Sequence, residues 1–162
     1  KVAEQLGATP KFYGPTSAYD KDFPAAVGEH WFGAFPAEIE FNTMDSTGPD
    51  NTLWQEVMAM YGPEGAAIDS FSQGGFLSAK IAVDALLTLD PENITRETVA
   101  AAFIGVSDYE SDLVCGAWSF GEGEHHNANH EGRIVELTAD GGWAVVKDCF
   151  IIPDPEIADL VG

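Results

Sequence analysis

The stretch SFSQGGFLSAKIAVDALLTL, residues 70–89, sets a glycine-rich polar knot directly in front of a long apolar run. From Phe76 to Leu89 the polar side chains are Ser78, Lys80, Asp84 and Thr88. The last three recur every four residues, which gathers them into one narrow stripe on a helix that is otherwise apolar. Such a helix belongs between a sheet and other helices. Its N-terminus, at Ser72-Gln73-Gly74-Gly75, presents unpaired backbone N–H groups and a partial positive charge. The glycines let a ligand or a second backbone come close. Ser72 acting simply as a helix cap accounts for the same residues equally well.

Working outward, the elements alternate. KVAEQLGA at 1–8 reads as a helix end capped by Gly7, and PKFYG at 10–14 as a short strand entering the loop PTSAYDKDFP. A short helix around DFPAAVG stops at Gly28. In GAFPAEIEFN, Phe35, Ala37, Ile39 and Phe41 alternate with Pro36, Glu38, Glu40 and Asn42, the period of a strand with one buried face. Pro36 places its start at an edge or a crossover. The helix within 45–65 should pack Leu53, Trp54, Val57, Met58 and Tyr61, be capped by Asp50 or Asn51, and end at Gly62-Pro63. DPENITRETVAAAFIG reads as a helix with Thr95 as N-cap and Gly105 past its end. AWSFG at 117–121 reads as a strand, and RIVELTADGGWAVVKDCF at 133–150 as a hairpin turning at Asp140-Gly141-Gly142. Alternating strands and helices with a late hairpin indicate an α/β architecture, with too few strands for a complete doubly wound domain.

Composition bounds the function. The 162 residues carry 7 Lys and Arg against 27 Asp and Glu, a formal net charge of −20. Phosphate binding needs clustered cations, so nucleic acid is excluded as an expected partner, and an anionic membrane surface repels the chain for the same reason. No apolar run reaches membrane-spanning length. Cys115 and Cys149 lack CxxC spacing, which argues against zinc or a thioredoxin-type motif. Each borders an expected strand, so they are read either as a disulfide, which suggests export, or as two buried thiols.

Chemistry is hard to find. His125, His126 and His130 are flanked by Glu122, Glu124 and Glu131, and His126 and His130 have ligand spacing only if the segment is helical. Gly121, Gly123, Asn127, Asn129 and Gly132 favour a solvated loop instead. The chain has no G-x-S-x-G elbow, P-loop, HExxH or G-x-G-x-x-G after a strand. An enzyme is not indicated and no cofactor is expected.

The ordered set KVAEQLGATPKFYGPTS, GAFPAEIEF, MYGPEG, FSQGGFLSAKIAVDALLTLDPENITRETVAAAF and WSFGEGEHHNANHEGRIVELTADGGWAVV resembles the solute-binding proteins of ABC transporters. The type is the branched-chain-amino-acid family with the type I periplasmic-binding fold, and the resemblance is to its C-terminal part. It implies two α/β lobes joined by a hinge that close on a small molecule without chemistry. Residues 1–40 then belong to the second lobe, 41–121 to the first, and 122–162 form a closing hairpin and tail returning to the second. The N-terminal half of that architecture lies outside this sequence.

The resemblance also implies site residues. Thr16, with Ser17 beside it, falls where amino-acid binders offer a carboxylate to the ligand's ammonium group, and a hydroxyl does not replace that charge. Phe71 falls where a residue packs on the ligand side chain, with Ser72 and Gln73 following at the helix start. Tyr13 and Tyr19 flank the same loop. The implied role is the extracytoplasmic component of an importer, periplasmic or extracellular, lipid-anchored or free, with a membrane permease as partner. The expected ligand is a small polar or amphipathic solute, amino-acid-like or an aromatic or amide compound. Two other readings stand beside it: a ligand-sensing domain of the same fold, and a metal-dependent enzyme using His126 and His130.

Overall fold

The computed structural model describes residues 1–120 and 129–152. Its sheet is small and antiparallel, in the order β1 (Pro36–Ile39), β2 (Glu131–Leu137), β3 (Trp143–Ile151). The period-two pattern of β1 is realised: Ala37 and Ile39 are fully buried while Pro36 and Glu38 are not. Ala37 pairs with Val135, and Ile39 with Arg133. The hairpin joining β2 to β3 turns through Gly141 at φ +82°, a conformation that suits glycine, and Thr138 N donates to Gly142 O at 2.8 Å. The β2–β3 register steps from Gly132↔Phe150 to Ile134↔Lys147, so Arg133 faces both Asp148 and Cys149 across a β-bulge.

Two expected strands are reduced to isolated bridges. PKFYG contributes one parallel bridge, Gly14↔Ala37, in which Gly14 N donates to Pro36 O and Glu38 N to Gly14 O, each at 2.9 Å. Pro10 and Pro15 on either side lack the N–H that a longer ladder needs. Among the described residues AWSFG contributes one bridge, Tyr109↔Trp118, and Phe120 N already turns away to Val106 O.

The helices are α1 (Val2–Gln5), α2 (Phe23–Val27), α3 (Pro49–Tyr61), α4 (Ser70–Leu87) and α5 (Arg96–Ile104), with α2 ending at Gly28 as expected. Thr95 caps α5, accepting from Thr98 N while the Thr98 hydroxyl accepts from Thr95 N. The cap of α3 differs from expectation. Neither Asp50 nor Asn51 is the cap residue; Gly48 is, and it has no side chain to offer. The carboxylate of Asp112 substitutes from a distant loop, accepting from Asp50 N at 2.7 Å and Asn51 N at 3.3 Å. A Cβ at position 48 would stand 2.0 Å from Asp112 Oδ2, so glycine is required for that approach. α4 also begins earlier than expected. Asp69 is its N-cap and Ser72 sits in its first turn, the two closing a capping box: Ser72 N donates to Asp69 Oδ1, and Asp69 N to Ser72 Oγ.

Burial on α3 centres on Asn51 and Trp54, flanked by half-buried Val57 and Met58, whereas Leu53 and Tyr61 are exposed. On α4, Leu77, Ile81 and Ala85 are buried at four-residue spacing, but Val83, Leu86 and Leu87 remain exposed. The polar stripe of α4 forms as expected. Lys80 Nζ donates to Tyr109 Oη at 2.6 Å and to Asp84 Oδ2 at 3.1 Å, with Asp50 Oδ1 at 3.7 Å. Burial works against the Lys80 charge, yet its hydrogen bonds to Tyr109 and Asp84 and the nearby Asp50 hold its pKa above the ordinary lysine range.

Two hydrophobic clusters result. One joins Ala18, Tyr19, Ala37, Ile39 and Val135 with Phe23, Phe35 and Trp143 around them. The other joins Trp54, Leu77, Ile81, Leu113 and Val114, with Phe41, Met58, Phe76 and Tyr109 packed against it. Met44 touches both. A disulfide joins Cys115 to Cys149. Among the described residues no helix is long and apolar enough to cross a membrane.

Candidate functional site

The loop after Gly14 tightens into a single 3-10 turn, Thr16–Ala18. It is latched to the end of β1 through Thr16, whose hydroxyl donates to Glu38 O and accepts from Glu40 N, both at 3.4 Å. Ala18 and Tyr19 insert into the sheet-side cluster just behind it. This arrangement turns Ser17 outward and leaves Tyr13 61% exposed. The turn also lies beside α4, their Cα atoms coming within 8 Å. Two segments far apart in sequence, the Thr16 loop and the helix of the opening stretch, are therefore neighbours in space.

On α4 the first turn projects Phe71 into solvent, 71% exposed. An aromatic ring at the start of a capped helix and unsupported by packing is available for a contact outside the described residues. Ser72 is occupied by the capping box, its hydroxyl also lying 2.9 Å from Asp69 O. Gln73 points the other way. It is fully buried, and its Nε2 donates to Asn51 Oδ1 at 2.6 Å and Asn42 O at 3.2 Å. Tyr19 is likewise enclosed, accepting from Met44 N at 3.1 Å and standing edge-on to Trp143 at 5.6 Å between centroids. Burial pushes the Tyr19 phenol above its ordinary pKa, so it remains neutral and a hydrogen-bonding group. Of the residues expected to face a ligand, Tyr13, Thr16, Ser17 and Phe71 have open or partly open side chains; Tyr19 and Gln73 spend theirs inside the fold.

The glycine pair divides in the same way. A Cβ at Gly74 would stand 2.7 Å from Phe41 Cζ, whereas one at Gly75 would meet nothing within 4 Å. The close approach at Gly74 is thus made by the chain's own Phe41. A separate groove of about 880 Å³ opens between the loop at 44–47 and the α3–α4 connection, lined by Met44, Asp45, Thr52, Gln55, Met58 and Ile68 among others. None of the sequence-predicted ligand residues lines it.

Sequence reasoning missed a buried polar chain at the junction of the two clusters. Asn51 Nδ2 donates to Ser46 O at 2.7 Å, Asn42 Nδ2 to Asp112 O at 2.9 Å, and Arg133 Nη1 to Asn42 Oδ1. Its signal in the sequence was a polar side chain at each inward position of an apolar pattern: Gln73 before Leu77, Arg133 before Val135, Asn51 before Trp54. Among the described residues no group of three His, Cys, Asp or Glu side chains could hold a metal ion. His126 lies outside the described residues, and His130 enters the sheet through its carbonyl, which accepts from Ile152 N at 2.7 Å.

A profile described as periplasmic binding protein matches residues 1–142. The chain belongs to the periplasmic binding protein family. Among solved structures, a branched-chain amino acid ABC transporter protein from Thermus thermophilus with bound valine is similar at 26% identity and a TM-score of 0.72, over 93% of this chain and 42% of that one. An ABC-transporter substrate-binding protein from Aeropyrum pernix shares the fold at 15% identity and a TM-score of 0.79, over 93% and 40% of the two chains. A fatty acid ABC transporter substrate-binding protein from Thermomonospora curvata does so at 20% identity and a TM-score of 0.72, over 93% and 39%. No match was found among curated proteins. The architecture is part of the type I periplasmic-binding fold, and this periplasmic binding protein chain spans about two fifths of the length of the structures it resembles.

Proposed function

We propose that this chain supplies part of both lobes of an extracytoplasmic solute-binding protein of an ABC importer. In this reading residues 1–40 and the hairpin within 122–162 belong to one lobe and 41–121 to the other. The division of the buried apolar residues supports it: one cluster draws on residues 18–39 and 135–143, the other on 41–120, with Met44 at the crossing. The observation that carries the functional reading is the Thr16 turn lying beside α4 while Tyr13, Ser17 and Phe71 stay open. A membrane permease is the partner that this role requires, with the N-terminal half of the architecture completing the cleft.

Tyr13, Thr16, Ser17 and Phe71 offer aromatic rings and hydroxyls without a charge among them. They suit a small amphipathic solute held by stacking and neutral hydrogen bonds, such as an aromatic or amide compound, better than one whose ammonium group needs a carboxylate. The test uses the full-length protein in a thermal-shift panel of amino acids, amides, aromatic acids and fatty acids. A solute at a hundred times its Kd adds about 2.7 kcal/mol of stability. Phe71→Ala and Ser17→Ala, both at exposed side chains, are expected to weaken binding of that solute at least tenfold while leaving the unliganded melting temperature nearly unchanged. A folded protein that responds to no class, or variants that bind as well as the native protein, overturns the reading.

A further inference from the structure

The Cys115–Cys149 bridge has an asymmetric setting. Cys115 is buried at the edge of the helix-side cluster, next to Leu113 and Val114, whereas Cys149 is exposed on β3. Between them lies Arg133, only 8% exposed. Its Nη2 donates to both sulfurs, at 3.3 Å to Cys115 and 3.0 Å to Cys149. The rest of the guanidinium is poorly compensated. Nη1 donates to the neutral amide of Asn42, and Nε has no hydrogen-bond partner among the described residues. The ion-pair partner among those residues, Asp148, stands 3.7 Å away on a side chain that is 84% exposed. A buried cation with so weak a counter-ion has unspent electrostatic attraction, and the atoms placed to receive it are two sulfurs.

Intact disulfide sulfurs are neutral and weak acceptors, so the guanidinium gains little from them. A thiolate at either position is an anion against the same N–H group. A neighbouring cation lowers a thiol's pKa, and a lower-pKa thiol leaves a disulfide faster. We propose that Cys115–Cys149 is a thiol-exchange site, opened by a low-molecular-weight thiol at Cys149 and activated by Arg133. The attacking thiolate forms a new S–S bond to Cys149 Sγ. The Cys115–Cys149 bond breaks, and its electron pair passes to Cys115 Sγ as a thiolate held by Arg133 Nη2. A second thiolate then attacks the mixed disulfide, releasing Cys149 as a thiolate and carrying away both oxidising equivalents as a small-molecule disulfide. Two thiols are oxidised and one bridge is reduced. Because the bridge links the loop beside Val114 to strand β3, exchange removes the covalent tie between that loop and the sheet. This inference goes beyond solute binding and does not depend on it.

The experiment treats the oxidised full-length protein with glutathione and follows mixed disulfide and free thiols by mass spectrometry under native conditions. The first adduct is expected on Cys149. Arg133→Gln is expected to slow opening about tenfold and to shift the exchange equilibrium about tenfold towards the bridge, which is about 30 mV for a two-electron couple. Asp148→Asn removes the competing carboxylate from an exposed position while keeping the guanidinium, and is expected to speed opening at least twofold. An Arg133→Gln variant that exchanges like the native protein overturns the proposal. So does a first adduct on Cys115, or an opening rate that merely follows global unfolding in denaturant. Should Arg133→Gln fail to fold, the Asp148→Asn rate and the adduct position decide: an unchanged or slower rate refutes activation by the guanidinium.

Discussion

The two hydrophobic clusters bury similar side chains on different backbone elements. The sheet-side core assembles short segments whose aromatic rings pack on one another: Phe23 against Phe35 at 4.9 Å, and Tyr19 and Phe23 against Trp143 at 5.6 and 5.9 Å. The helix-side core uses long periodic elements, and its helices also carry two buried amides, Asn51 and Gln73, hydrogen-bonded to each other. The first is specified by strand register, since a one-residue slip would expose Ala37 and Ile39. The second is specified by hydrogen bonds that only one helix rotation can satisfy. They also differ in completeness. The helix side leaves Val83, Leu86 and Leu87 uncovered along α4, an apolar face matched by no element among the described residues.

The contrast breaks if the cores prove to be one cooperative unit. In the full-length protein, Trp54→Ala is expected to cost about 3–5 kcal/mol and Ile39→Ala about 2–5 kcal/mol, both from fully buried positions. If the cores unfold separately, each variant shifts only its own transition in denaturant unfolding; a single transition that both substitutions shift merges them. A sharper probe compares adjacent glycines on one helix. Gly74→Ala drives a Cβ towards Phe41 and is expected to lose about 1–3 kcal/mol. Gly75→Ala enters open space in a helix interior and is expected to gain up to about 1 kcal/mol. Equal effects at the two sites would remove Phe41 as the reason for the glycine.

The smallest effect belongs to the rim of the sheet core. Burial first, and then the charge of Glu40, push the Glu38 carboxyl above its ordinary pKa. The folded protein therefore holds that proton to higher pH than the unfolded chain. Stability from this group is lost as pH rises from the ordinary carboxylate value through the raised one. Glu38→Gln is expected to flatten that part of the melting-temperature profile and to raise the melting temperature slightly at neutral pH. A profile that keeps its slope in the variant assigns the effect to another carboxylate.

What could be read from the sequence follows from how far each determinant lies from its effect. The β1 alternation, the Asp140-Gly141-Gly142 turn and the Thr95 cap are set by neighbours within a few residues, and all appear in the structure. The cap of α3 comes from Asp112, across 62 positions from Asp50, and no local pattern announces it. PKFYG and AWSFG have strand-like residues, but a ladder also needs donors and a straight partner, which Pro15 and the turn towards Val106 deny them. At the candidate site, the family resemblance nominated a loop and a helix that lie side by side. It could not sort Phe71 from Gln73, because which way successive residues of a helix face depends on where its axis lies against Trp54 and Phe41.

Met44 packs into both clusters and has its carbonyl held by Asn51 and Gln55. An unbranched thioether with three rotatable bonds can keep touching two surfaces while the angle between them changes. With its backbone pinned and its side chain unbranched, this residue would keep both clusters in contact were the angle between them to change, as grease fills the gap between two bearings.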